Sequence, residues 1–142
     1  MIHRHPRGTA GGKIGMFVMA SRRKLLLVDD DDAVIDYLHA KLGTAYDVVS
    51  TNSPDRVLSL ARSEHPDLII CDIDMPEMDG GDVSSALFDD DELREIPVLF
   101  LTALVSRREL TAARSEIGGR PAIAKDAPAS ELLARIKSLL RP

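Results

Sequence analysis

The chain has 142 residues, 44 % hydrophobic and 29 % charged, which suits one globular domain and excludes a disordered or collagen-like chain. Its single cysteine, Cys71, excludes an internal disulfide framework and a cysteine-based zinc cluster, so a reducing cytoplasm is the expected location. The net charge is −5, yet the first 24 residues hold six bases and no acid, so the body is acidic and repels phosphate backbones.

Direct nucleic-acid binding is therefore not expected. Neither is a membrane, because no apolar run approaches the ~20 residues that span a bilayer. Residues 1–23 form a basic N-terminal extension whose position predicts a floppy leader, a mis-assigned start or a cloning remnant. Residues 24–142 are expected to form the domain proper.

From Lys24 onward short apolar runs alternate with segments of helical spacing. Lys24 to Asp29 (KLLLVD) reads as a strand buried on both faces. Asp32 is placed to cap a first helix with an apolar stripe through Val34, Leu38 and Leu42, stopped by Gly43. Tyr46 to Ser50 reads as the second strand, and Ser53-Pro54 opens a second helix with an N-cap and proline at its first position, ending near His65-Pro66. Asp67 to Cys71 (DLIIC) is the third strand, followed by a polar turn from Asp72 to Gly81.

Val83 to Phe88 predicts a third helix that frays into the acids Asp89 to Glu92, and Pro97 to Leu101 a fourth strand with Thr102 at its end. Arg107 to Ile117 predicts a fourth helix stopped at Gly118-Gly119. Pro121 to Ala124 reads as the fifth strand and Ala129 to Leu140 as the last helix. Five βα units fall short of the roughly 250 residues of a closed barrel, so an open doubly wound α/β sheet is expected. In such sheets ligands bind outside the carboxyl ends of the strands.

Those ends carry Asp29 to Asp32, then Asp72 with Asp74 two residues on, then Thr102, then Lys125. Carboxylates crowded at one edge repel one another, and holding them ionised calls for a cation. Magnesium fits, since it prefers hard oxygen ligands and is typically held by one or two carboxylates beside a phosphate. His39 and His65 read as ordinary solvated residues, Cys71 as a small buried hydrophobe, and Met75 and Met78 as packing for the loop.

The runs VDDDD at Val28 to Asp32, DLIICDIDMPEMDG at Asp67 to Gly80, FLTA at Phe100 to Ala103, and Lys125 together resemble the receiver domain of two-component response regulators, over Lys24 to Leu140. The resemblance implies a flavodoxin-like (βα)5 fold with a five-stranded parallel sheet of order 2-1-3-4-5. It implies that Asp72 accepts a phosphoryl group from a phosphohistidine, and that Asp30 and Asp72 contact Mg²⁺ while Asp29 acts mostly through water and Asp74 through its backbone carbonyl. Thr102 and Lys125 are implied to meet phosphoryl oxygens.

The implied partners are a histidine kinase or histidine phosphotransfer protein and a downstream effector. The implied homodimer uses the fourth helix, fifth strand and last helix. No enzyme activity is expected beyond self-catalysed phosphoryl acceptance and autodephosphorylation. A stand-alone receiver, a relay and a fragment of a larger regulator or hybrid kinase all remain open.

Two positions depart from the family. Asp126 stands where receivers usually carry proline, which predicts a trans Lys125-Asp126 peptide, a displaced or more mobile Lys125 loop, and altered phosphoryl transfer or lifetime. Ala122 stands where many carry an aromatic, which predicts that the signal is read elsewhere, through the loop from Thr102 to Arg108. Two other functions compete: a receiver-like interaction module that needs no phosphate, and a phosphohydrolase resembling the haloacid dehalogenases, whose DxD start Asp72-Ile73-Asp74 echoes.

Overall fold

The computed structural model describes residues 2–4, 22–75, 79–103, 116–117 and 119–140. In chain order the elements are β1 (Ile2–Arg4), β2 (Lys24–Val28), α1 (Asp32–Leu42), β3 (Asp47–Thr51), α2 (Val57–Glu64), β4 (Leu68–Asp72), α3 (Gly80–Phe88), β5 (Val98–Thr102), β6 (Glu116–Ile117), β7 (Arg120–Ala124) and α4 (Ala129–Leu139). The sheet order is β1-β3-β2-β4-β5-β7-β6. Its five inner strands are parallel and follow the expected 2-1-3-4-5 order. The strand count is seven rather than five, because β1 adds antiparallel to β3 and β6 antiparallel to β7.

The strands read as unbroken apolar runs because both of their faces are covered. Leu26, Val28, Ile69, Cys71, Val98 and Phe100 face one side, where Val57, Leu60 and Ala61 of α2 and Val83 and Leu87 of α3 pack. Leu25, Leu27, Leu68, Ile70, Leu99 and Leu101 face the other, against Leu38 and Leu42 of α1 and Leu132 and Ile136 of α4. Each fully buried aliphatic side chain contributes roughly 1.5–3 kcal/mol, so the alternation along the inner strands holds two helical layers at once.

Several local expectations need correcting. Helix α1 is capped by Asp31, whose Oδ1 accepts from Ala33 N at 2.9 Å; Asp32 is already helical. The hydroxyl of Ser53 donates to Asp55 Oδ1 instead of capping, so the chain enters α2 through a 3-10 turn, Pro54–Arg56. Helix α3 begins at Gly80 rather than Val83, because Asp79 and Asp82 form a reciprocal capping box. Glu116 and Ile117 are strand, joined to β7 through Gly119 at φ 79°; residues 107–115 of the expected fourth helix, like most of the loop from Thr102 to Arg108, lie outside the described residues.

Three of the six N-terminal bases hold the fold together. Arg22 donates to Gly43 O and Thr44 O beyond the end of α1, and Arg23 donates to Leu140 O at the end of α4. Both place a cation where helix carbonyls concentrate negative charge. Lys24 pairs with Glu64 at 3.0 Å. His39 is not merely solvated: its Nε2 lies 2.8 Å from Ser50 Oγ, joining α1 to β3. His65 is exposed as expected, and ends α2 in the left-handed conformation, φ 49°. Cys71 and Met75 are buried; Met78 lies outside the described residues.

Candidate functional site

The carboxyl ends of β2, β4, β5 and β7 lie side by side, so the side chains that end them share one edge. Asp29 follows β2 and is 1 % exposed. Its N–H donates to Thr51 O of β3 at 3.3 Å, and its Oδ1 accepts from Asp31 N at 2.9 Å. Asp72 ends β4, is 3 % exposed, and accepts from Asp74 N on Oδ1 at 3.1 Å. Asp30 and the Asp74 side chain are exposed.

Lys125 joins the two buried acids. Its Nζ lies 2.7 Å from Asp29 Oδ2 and 3.4 Å from Asp72 Oδ2, and its backbone N–H donates to Thr102 O at 2.8 Å, stapling the end of β7 to that of β5. The Lys125-Asp126 peptide is trans, since no described peptide is cis, as Asp126 predicts. The Asp126 side chain is exposed. Thr102 is 1 % exposed at the end of β5. Ala122 is buried as the register partner of Phe100.

Oxygens of Asp29, Asp30 and Asp72 lie within 4.8 Å of one another. Burial raises the Asp72 pKa to about 6, with Asp29 adding to the rise and the Asp74 N–H and Lys125 opposing it. Burial also raises Asp29, against its bonds to Lys125 and Asp31 N. For Lys125 burial works downward, but its contacts with Asp29 and then Asp72 prevail and hold it above the ordinary value. Burial pushes the neighbouring Cys71 thiol up as well, so it stays protonated and unreactive. Three carboxylates against one ammonium leave a local surplus of negative charge on hard oxygen donors, and this donor set fits a small divalent cation.

The sequence brought Asp29, Asp30, Asp72, Asp74, Thr102 and Lys125 forward, and the fold gathers them at this edge. It missed three supports. Asp31 orients Asp29, and Thr51 anchors the Asp29 backbone from the adjacent strand. Gly80 donates its N–H to Ile73 O at 2.9 Å, and a Cβ on it would stand 2.8 Å from Ile73 Cα and 2.9 Å from Asp72 O. Only glycine lets α3 approach the residue after Asp72 this closely; the sequence placed Gly80 in the motif but did not show this contact.

This arrangement agrees with what the chain is similar to. The response regulator receiver domain family matches residues 25–137. DivK, a polar-differentiation response regulator of Brucella ovis, is 34 % identical over 120 residues, covering 83 % of this chain and 96 % of DivK. The probable transcriptional regulator ycf27 of Porphyridium aerugineum is 33 % identical over 121 residues, covering 84 % of this chain and 49 % of ycf27; the chain thus spans about half the length of that relative. Among solved structures, the BeF3-activated N-terminal receiver domain of Klebsiella pneumoniae RstA superposes with a TM-score of 0.71 at 31 % identity, covering 84 % of this chain and all of that one.

A doubly wound sheet with acids, a hydroxyl and a lysine at its carboxyl edge fits a receiver-type signalling domain. The chain belongs to the response regulator receiver domain family of two-component systems. Among the described residues no helix is long and apolar enough to cross a membrane.

Proposed function

We propose that Asp72 is the phosphoacceptor of this receiver and that Asp29, Asp30 and Asp72 hold Mg²⁺, with Asp74 contributing its backbone carbonyl. The observation that carries this reading is the Asp72 carboxylate, buried at the end of the central strand with Lys125 Nζ 3.4 Å from Oδ2 and two further carboxylates within 4.8 Å. A carboxyl with a pKa of about 6 is mostly ionised near neutrality and so is a competent nucleophile. An Asp72 oxygen attacks phosphorus, the bond from phosphorus to the donor's histidine nitrogen breaks, and the electron pair stays on that nitrogen. The Lys125 ammonium and the Thr102 hydroxyl neutralise and orient the phosphoryl oxygens. Bound Mg²⁺ supplies the remaining charge neutralisation for those oxygens.

The donor in this reading is a histidine kinase or histidine phosphotransfer protein, the reader is an output protein or a second copy of the chain, and the setting is cytoplasmic. The same site discharges itself when water attacks the phosphorus of the acyl phosphate, the P–O bond to Asp72 breaks, and inorganic phosphate leaves the restored carboxylate. Incubation with acetyl phosphate and Mg²⁺ tests the assignment. The expected result is one acid-labile phosphoryl group per wild-type chain and none on Asp72→Ala. Unlabelled wild type overturns the reading in favour of a phosphate-independent interaction module. Turnover of a phosphomonoester that Asp74→Asn abolishes overturns it in favour of a phosphohydrolase.

A further inference from the structure

We propose that Asn52 is a positioning residue for the cation. Together with the Thr51 carbonyl it clamps both ends of the acid run Asp29 to Asp32, so that Asp30 stays turned toward Asp29 and Asp72. This rests on the cation-binding reading above and adds to it a residue that touches neither the ion nor the phosphoryl group.

The acid run leaves β2 at Asp29, whose N–H donates to Thr51 O at 3.3 Å. It enters α1 at Asp32, whose Oδ1 accepts from Asn52 Nδ2 at 3.0 Å. Consecutive residues at the end of β3 therefore hold the first and the last acid of the run. Their own turn is fastened separately: Thr51 Oγ1 accepts from Ser53 N at 3.1 Å and donates to Ser53 O at 3.4 Å. The Asn52 amide is thus presented by a turn that does not depend on the bond it makes.

Within the run, Asp31 N donates to Asp29 Oδ1 and Asp31 Oδ1 accepts from Ala33 N, both at 2.9 Å. Asp30 differs. Its side chain is exposed, yet one of its oxygens lies within 4.8 Å of oxygens of Asp29 and Asp72. Like charges so close repel, and water offers an exposed carboxylate an alternative. The backbone of the turn is what opposes that swing, and it is as firm as its two anchored ends. The Asn52 amide is neutral, so it braces Asp32 without altering the charge that attracts a cation. A lysine in its place would also brace Asp32, but its charge would oppose the ion.

Ligands held in place before binding lose less freedom when the ion arrives, and so bind it more tightly. One exposed hydrogen bond to a carboxylate contributes little. Its loss should therefore weaken cation binding severalfold without abolishing it.

The test titrates the full chain with Mg²⁺ alone, following the Asp29 and Asp72 amide shifts, in wild type, Asn52→Ala, Asp32→Ala and the double variant. Asn52→Ala is expected to raise the Mg²⁺ Kd about threefold and to leave the thermal unfolding midpoint in EDTA unchanged, since the Thr51 hydroxyl still closes the turn. In the Asp32→Ala background the same substitution should not change the Kd, because the partner of the amide is already gone. A wild-type Kd in Asn52→Ala overturns the inference, and so does an equal rise in the Asp32→Ala background. A fall in thermal stability that accounts for the lost affinity marks a merely structural role and overturns it as well. If Mg²⁺ leaves the Asp29 and Asp72 amides of the wild type unmoved, the cation-binding reading itself fails, and the positioning role with it.

Discussion

The two ends of the parallel sheet are both charged, and they are built differently. At the amino end Lys24 Nζ lies 3.0 Å from Glu64 and 3.8 Å from Asp47, Arg23 lies 3.5 Å from Asp67, and Asp67 also accepts from Lys24 N at 2.7 Å. There two cations are interleaved among three acids, and the cluster ties β2 to β3, to the end of α2 and to the start of β4. At the carboxyl end three acids cluster, and among the described residues one ammonium, Lys125, meets two of them, Asp29 and Asp72, which are buried with raised pKa values. The comparison separates an ion-pair network that closes the fold from one left short of positive charge.

The difference can be broken first at the amino end. Lys24→Ala leaves the buried Asp47 without its nearest named cation and should cost about 2–4 kcal/mol in denaturant unfolding, less than a fully desolvated pair because the Lys24 side chain is 17 % exposed. It should leave the affinity for Mg²⁺ unchanged; a parallel loss of affinity would mean that the two ends are not independent. Gly80→Ala drives a methyl against Asp72 O and Ile73 Cα and should cost about 1–3 kcal/mol. Unlike Lys24→Ala, it should also weaken Mg²⁺ binding, measured by titration calorimetry.

Asp72→Asn should act in the opposite direction on the metal-free protein. The folded-state pKa of about 6 lies above the ordinary 3.8, so between those values the native state binds more protons than the unfolded one. The contribution of Asp72 to stability is therefore fully present below pH 3.8 and is lost as pH rises through 6. At pH 7.5 in EDTA the asparagine variant should be more stable by on the order of 2 kcal/mol, with the gain vanishing toward pH 4 in matched thermal melts. A gain independent of pH would show that charge is not its cause. The smallest effect is expected from Asp126→Asn. Because Asp126 is exposed, screening should hold the change in acetyl phosphate labelling rate to less than about twofold, contrary to the alteration its charge suggested.

How far the site could be read without the fold depended on how local each signal was. Asp72 stands directly after an apolar run, so its place at a strand end followed from the run itself, and the same holds for Asp29 and Thr102. Lys125 was placed by counting strands. What it touches was not legible, since its reach to both Asp29 and Asp72 depends on which strands are neighbours. The trans Lys125-Asp126 peptide followed from residue chemistry, while the loop's position was set by the Lys125 N–H bonding Thr102 O. Gly80 stood in the motif, but the reason for it was not legible, because the atoms that demand it, Asp72 O and Ile73 Cα, lie across a turn.

The apolar runs and their helical alternation alone determined the class of fold, the five inner strands, both buried layers and the residues that end each strand. Burial on both faces leaves a continuous hydrophobic signature along the chain, and strand ends follow from where it stops. Only the tertiary structure decided that β1 and β6 extend the sheet, that Asp31 rather than Asp32 caps α1, that His39 meets Ser50, and that one ammonium serves two buried carboxylates. Edge pairing, cap choice and ion-pair partners turn on a few hydrogen bonds between groups brought together by folding, and differences of that size leave no periodic trace in a sequence.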